Sequence, residues 1–234
     1  MSAIYKREIN AYFTSPIAYV VYAVAAFFAG LLFYGTVLAA DSSDMTYLFS
    51  NMTTVIIMMI PILTMKLFSE EKNKKTEQGL LTAPVNLLQI VMGKVLAAVT
   101  VYALLMVLFV IYGLIVNFFV TPSWITIGSN ILGLLLFGTS LITIGTFISS
   151  LTESQIISAI LSIGAGLLVT SISMLENLVS IDFIKEIIAS VEFMERYQNF
   201  TLGIVKFSDI IFFLSVSALF VFFTIKVLER RRWN

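Results

Sequence analysis

The chain has 234 residues, of which 59% are hydrophobic and only 12% are charged, and its mean hydropathy is +0.99 with no net charge. Average soluble domains carry about 25% charged residues, so this composition excludes an ordinary water-soluble fold. Cysteine and histidine are both absent, which excludes disulfides, thiolate nucleophiles and imidazole-based metal or acid–base sites.

The first element is a short amphipathic segment at residues 2–15. Its apolar residues fall on one side of a helical projection, while Lys6, Arg7 and Glu8 fall on the other. This pattern predicts an interfacial helix that ends at Pro16, although an ordinary charged flank ahead of a membrane helix is the alternative. The apolar run that follows is longer than the ~7–15 residues of a signal peptide, so we expect the first span to be retained.

Five charge-free apolar windows follow this segment. They cover residues 17–40, 45–65, 95–152, 154–175 and 210–225. The window 95–152 is too long for one span, and Thr121-Pro122-Ser123 divides it, which gives six transmembrane helices. The last window is short, but Lys226 can snorkel and so lengthen it. Because lipid offers no hydrogen bonds to the backbone, we expect an all-α integral membrane protein with one transmembrane domain over residues 1–234.

The longest polar interruption lies at residues 69–94, between the second and third predicted spans. It carries charged residues, then Gly79, then a leucine-containing turn closed by Pro84. A loop that only joined two membrane helices could be far shorter, so we interpret it as a small docking element for a soluble partner. A solvated charged face is the simpler interpretation of Lys72–Lys75.

Small residues recur at helical spacing in the fourth and fifth spans. They are Gly145, Ser149, Ser158, Ser162 and Gly166. This spacing favours close helix packing within the chain over a subunit interface. Beyond the fifth span, the segment 176–209 predicts an amphipathic external helix, which is either a simple surface helix or a re-entrant element of an exit path.

The basic residues are distributed unevenly between the two sides of the membrane. If both termini are cytoplasmic, the outer segments carry only Lys185, Arg196 and Lys206, and the other eleven of the 14 Lys and Arg residues lie inside. The positive-inside rule therefore predicts cytoplasmic termini in a multi-pass protein of the cell membrane, with the 69–94 loop on the cytoplasmic side.

This layout resembles the membrane subunit of an ABC transporter of the ABC-2 type (type 2 export permease) family. The resemblance covers the whole chain and is strongest in the first cytoplasmic loop, at Phe68, Glu70, Glu71, Thr76, Glu77, Gly79, Leu80, Leu81, Pro84 and Gly93-Lys94. The opening Tyr12-Phe13-Thr14-Ser15-Pro16 and the closing Asn199-Phe200, Gly203, Asp209 and Glu229-Arg230-Arg231-Arg232 are similar to the gliding-motility-associated permease subgroup. Leu80 departs from the threonine that many members have, so a side-chain cap would be missing there.

The resemblance implies an ATP-driven exporter in which this chain does no bond chemistry and binds no cofactor. Two permease subunits, identical or related, would form the pathway among membrane lipids, and two separate ATPase subunits would bind beneath it. The residues implied in ATPase docking are Glu70, Glu71, Glu77, Gly79, Leu80, Leu81 and Pro84. The two leucines would be the apolar anchor, Glu77 a polar contact, and Gly79 and Pro84 the helix boundaries, while Glu70 and Glu71 would engage the N-terminal helix or the ATPase.

Two other classes of function are alternatives to this one. An ATP-independent channel or secondary carrier explains the spans but not the docking loop, and no ionisable group is predicted at membrane depth for ion coupling. An intramembrane enzyme would need a Ser/Lys or paired-carboxylate site, and no such pair is placed at depth. No GxxxxGK[ST] motif is present, so nucleotide binding through a P-loop is not expected, and neither is nucleic-acid binding.

Overall fold

The structure is a computed structural model that describes residues 1–76, 79, 85–172 and 192–233. Every regular element in this part of the chain is helical, which confirms the predicted all-α class. The helices are α1 Ser2–Thr14, α2 Pro16–Phe33 with a π-helical extension Tyr34–Leu38, α3 Thr46–Thr64, α4 Ser69–Asn73, α5 Leu87–Asn117, α6 Trp124–Leu151, α7 Gln155–Thr170, α8 Phe193–Thr201 and α9 Phe207–Trp233.

Five stretches of the described chain are long and apolar enough to cross a bilayer. They are Pro16–Leu38, Thr46–Asn73, Leu87–Asn117, Trp124–Leu151 and Phe207–Arg232. The remaining predicted span corresponds to α7, which is apolar but has only 16 described residues. At 1.5 Å per residue this is roughly 24 Å, shorter than the ~30 Å hydrocarbon core. The integral membrane class is confirmed, and the sixth crossing stays a prediction.

Short polar side chains mark where the spans begin. Ser15 has an extended backbone, and Pro16 follows it as the first residue of α2, where a missing N–H costs nothing. The side chain of Asn86 accepts a hydrogen bond from the backbone N–H of Leu88 at 3.1 Å and starts α5. α1 therefore ends in a bend before the first span; its position relative to the bilayer stays a prediction.

α6 is the central helix of the described part, and α3, α5, α7, α8 and α9 all pack against it. It packs closely against α5 at Gly138, where an added Cβ would lie 2.3 Å from the ring of Tyr102. The hydroxyl of Tyr102 donates to the carbonyl oxygen of Leu134 at 2.6 Å, which satisfies this buried polar group. The pair fixes how α5 lies on α6.

The small residues of the predicted fourth and fifth spans face α3. A Cβ on Gly145 would lie 2.4 Å from the Thr64 hydroxyl, and a Cβ on Gly166 would lie 3.0 Å from Ile57. Ser158 and Ser162 are buried as well. These residues therefore pack within the chain, as the spacing predicted.

Large apolar side chains cover much of the outer surface of the helices. Phe27 on α2, Ile156 on α7 and Phe222 on α9 are 62%, 71% and 52% exposed. Exposing this much apolar surface to water would be unfavourable, whereas contact with lipid tails would not.

Candidate functional site

Four ionised side chains from three helices meet at the C-terminal end of α3. Nζ of Lys94 on α5 lies 3.0 Å from Oε1 of Glu8 on α1 and 3.0 Å from Oε1 of Glu71 on α4. Nη2 of Arg7 lies 2.7 Å from the same oxygen of Glu8 and 2.6 Å from the same oxygen of Glu71. Each carboxylate thus pairs with both cations, and we call these four residues the charge cluster.

Burial makes the pairing within the charge cluster energetically important. The side chain of Lys94 is 1% exposed, and those of Glu8 and Glu71 are 12% and 16% exposed. A buried ammonium must be paired, because leaving it uncompensated costs several kcal/mol. The ring of Phe68 lies 5.2 Å from Nζ of Lys94 and adds a cation–π contact.

In the Gly93-Lys94 pair, the glycine allows close helix packing and the lysine supplies a positive charge to this site. A Cβ on Gly93 would lie 3.0 Å from Cγ2 of Ile4, so glycine lets α1 approach α5 closely. The neighbouring Lys94 then reaches the two carboxylates. The dipeptide therefore brings the N-terminal helix and the third span into one packed unit.

The charges also shift nearby pKa values. Burial would lower the pKa of Arg7, but the hydrogen bond and charge of Glu8, followed by those of Glu71, raise it above its ordinary value. Burial, and then the charge of Glu8, raises the pKa of Tyr12. Both groups therefore keep their usual protonation state at neutral pH, with Arg7 charged and Tyr12 neutral.

Side chains from α1 and α6 bind the carbonyl groups that α3 leaves free at its end. The hydroxyl of Tyr12 donates to the carbonyl oxygen of Leu63 at 2.7 Å. The hydroxyl of Ser149 donates to the carbonyl oxygen of Met65 at 3.1 Å and accepts from the backbone N–H groups of Phe68 and Ser69 at 3.1 and 3.2 Å. The turn between α3 and α4 is therefore held on two sides.

The predicted docking residues fall into three groups. Glu71 joins the charge cluster, together with Arg7 and Glu8 of the predicted interfacial helix, whereas Lys6 is exposed outside it. Glu70 pairs instead with Lys74, at 2.6 Å, which lies just after the end of α4, and Gly79 is exposed. The remaining docking residues, Glu77, Leu80, Leu81 and Pro84, lie outside the described residues, as do residues 176–191 of the predicted external segment.

A second polar cluster lies at the opposite end of α3. Asp209 at the start of α9 is buried and accepts from Nη1 of Arg196 at 3.2 Å and from Nδ2 of Asn199 at 2.8 Å. The hydroxyl of Tyr197 donates to the carbonyl oxygen of Phe49 at 3.0 Å. α8 is thereby fixed to α3 and α9. The sequence motif contains Asp209 but does not reveal this pairing, because Arg196 and Asn199 lie on another helix.

The comparison with protein families gives a match over most of the chain. A family model described as ABC-2 family transporter protein matches residues 11–172, which is more than two thirds of the sequence. The matched region contains Glu71, Lys94 and Ser149, and it includes the whole polar loop. No curated protein matches the chain.

Proposed function

Because the chain belongs to the ABC-2 transporter family, we propose that it is the permease subunit of an ATP-driven exporter whose ATP is hydrolysed by separate subunits. The chain is a membrane transport component and not itself an enzyme. The charge cluster is the observation that best supports the ATP-driven part of this proposal, because it connects the polar loop to the helices that would have to move.

The charge cluster joins both ends of the polar loop. Glu71 on α4 lies near the start of the loop 69–94, and Lys94 on α5 lies at its end. Glu8 adds α1 to the same group. A partner that displaces the loop would therefore shift α1, α3 and α5 together as a rigid body, since separating them would expose buried charges to apolar surroundings.

We assign ATPase docking to the part of the loop beyond the charge cluster. Leu80 and Leu81 supply the apolar anchor, Glu77 supplies a polar contact, and Gly79 and Pro84 bound the helix. Glu70 is available as a further contact, since a partly exposed i,i+4 pair such as Glu70–Lys74 contributes only about 0.3–0.5 kcal/mol. Glu71 acts inside the chain, where its partners already compensate its charge.

The sidedness of this arrangement follows from the distribution of basic residues. With both termini in the cytoplasm, eleven of 14 Lys and Arg residues are inside, including Lys72, Lys74, Lys75 and Lys94. The complex would contain two permease chains, identical or related, and two ATPases. The motifs at both ends of the sequence support membership of the gliding-motility-associated subgroup.

Replacing Leu80 and Leu81 together by aspartate is expected to remove the ATPase from the complex. Charged side chains cannot be buried in an apolar groove without a partner, so binding should weaken by a factor of about 100 or more. Co-purification of the epitope-tagged chain with its co-expressed ATPase measures this, and thermal unfolding of the permease should stay unchanged.

The matched control replaces Phe119 and Val120 by aspartate. These residues are also adjacent and apolar, are 78% and 55% exposed, and lie in the connection between α5 and α6. The control is expected to retain the ATPase. Retention by the leucine variant as well would mean that the docking site lies elsewhere.

A further inference from the structure

A cavity of about 330 Å³ adjoins the charge cluster. It opens between α1, the end of α3 and α4, and its wall includes Ala11, Ser15, Ile17 and Lys66 besides the cluster. Sites for small ligands in proteins have volumes of about 300–1,000 Å³, so this cavity is large enough for a headgroup-sized ligand.

The cavity carries one positive charge more than the chain itself neutralises. Its three carboxylates, Glu8, Glu70 and Glu71, are compensated by Arg7, Lys74 and Lys94. Lys66 is the fourth cation of the wall, and it makes no ion pair with any residue that the structure describes. Arg7 uses only Nη2 for its two ion pairs, which leaves its other nitrogens as donors. An anionic group with several acceptor oxygens fits this set of donors.

The cavity lies next to the start of a membrane span. Ser15 and Ile17, at the bend between α1 and α2, form part of its wall. Tyr19 and Val20 follow directly on α2, which is long and apolar enough to cross a bilayer, and are 57% and 52% exposed. A molecule in the cavity could therefore extend an apolar chain along α2 without leaving the bilayer.

We propose that this cavity binds the phosphate of an anionic phospholipid from the leaflet against which α1 lies. Lys66 and Arg7 donate to the phosphate oxygens, and the acyl chains lie along α2. Anionic lipids attract basic groups at the membrane surface, and each such group contributes appreciably. A free phosphate ion shares the headgroup chemistry but lacks the contact with α2.

The test measures phospholipid retained by the purified full-length chain after delipidation in detergent, by native mass spectrometry, with phosphatidylglycerol as the probe. Lys66→Gln is expected to retain about tenfold less phosphatidylglycerol, the effect of one charge-assisted hydrogen bond. Ala11→Phe, at an exposed position of the wall, should lower retention by filling the cavity while leaving every charge in place. Lys226→Gln, which removes an exposed lysine paired with Glu229, is the matched control and should retain the lipid.

Equal retention by Lys66→Gln and Lys226→Gln would overturn the proposal. So would displacement of phosphatidylglycerol by inorganic phosphate at equal concentration, which would identify an anion site without lipid specificity. The measurement needs no ATPase. A negative result would therefore not contradict the proposed coupling to an ATPase, and absence of that coupling would not contradict the lipid site.

Discussion

Replacement of Lys94 by methionine is expected to destabilise the folded chain by about 3–5 kcal/mol, the usual cost of removing one partner from a buried ion pair. Methionine fills a similar volume but leaves Glu8 and Glu71 facing each other with only the half-exposed Arg7 to compensate them. Thermal unfolding of the purified chain in detergent should show this loss directly.

A second variant separates charge from packing at the same position. Combining Lys94→Met with Glu71→Gln removes one of the two stranded carboxylates, so the double variant should recover part of the lost stability. Lys226→Met removes an exposed lysine and should unfold at the temperature of the unmodified chain. Unfolding of Lys94→Met at that temperature too would show that the charge cluster does not hold the three helices together.

Substitution of Gly138 by alanine is expected to cost about 1–3 kcal/mol, although alanine is normally the better helix former. The new Cβ would lie 2.3 Å from the ring of Tyr102, so α5 and α6 must separate or the ring must turn. Either change breaks the hydrogen bond from Tyr102 to the carbonyl of Leu134 and leaves the buried Tyr102 hydroxyl without that partner.

The matched control is Gly128→Ala on the same helix. No atom lies within 4 Å of a Cβ at that position, so alanine should be neutral or stabilising by up to about 1 kcal/mol. Thermal unfolding of both variants in one detergent compares them. Equal unfolding temperatures for the two would contradict the close α5–α6 contact.

The helical class and most of the spans could be predicted from the sequence, because a lipid bilayer permits only backbone structures that satisfy their own hydrogen bonds. Long charge-free windows leave only helices, and Pro122 divides the longest window where α5 and α6 separate. The fifth predicted span was harder, since the 16 described residues of α7 are compatible with either a crossing or a shorter element.

The charge cluster could be predicted only in part. The resemblance implied that Glu70 and Glu71 engage the N-terminal helix or the ATPase, but the members of the cluster are far apart in the sequence. Glu8 and Lys94 meet only when α1 folds back on α5, and no local pattern contains that information. Glu70 and Glu71 appeared equivalent, but successive helical residues are about 100° apart, so only Glu71 faces the charge cluster. The spacing pattern predicts only a packing role for the small Ser149, whereas its hydroxyl also binds the turn after α3.

We propose that the polar loop between α3 and α5 is cytoplasmic and carries the motion of an ATPase into the membrane helices. The chain has no cysteine, so Leu81→Cys and Ser123→Cys each introduce a single thiol. The decisive measurement treats intact cells with a membrane-impermeant maleimide and then crosslinks the membranes to a co-expressed ATPase. We expect Leu81→Cys to be protected from the maleimide and crosslinked to the ATPase, and Ser123→Cys to be labelled and not crosslinked. Labelling of Leu81→Cys from outside the cell would contradict the account.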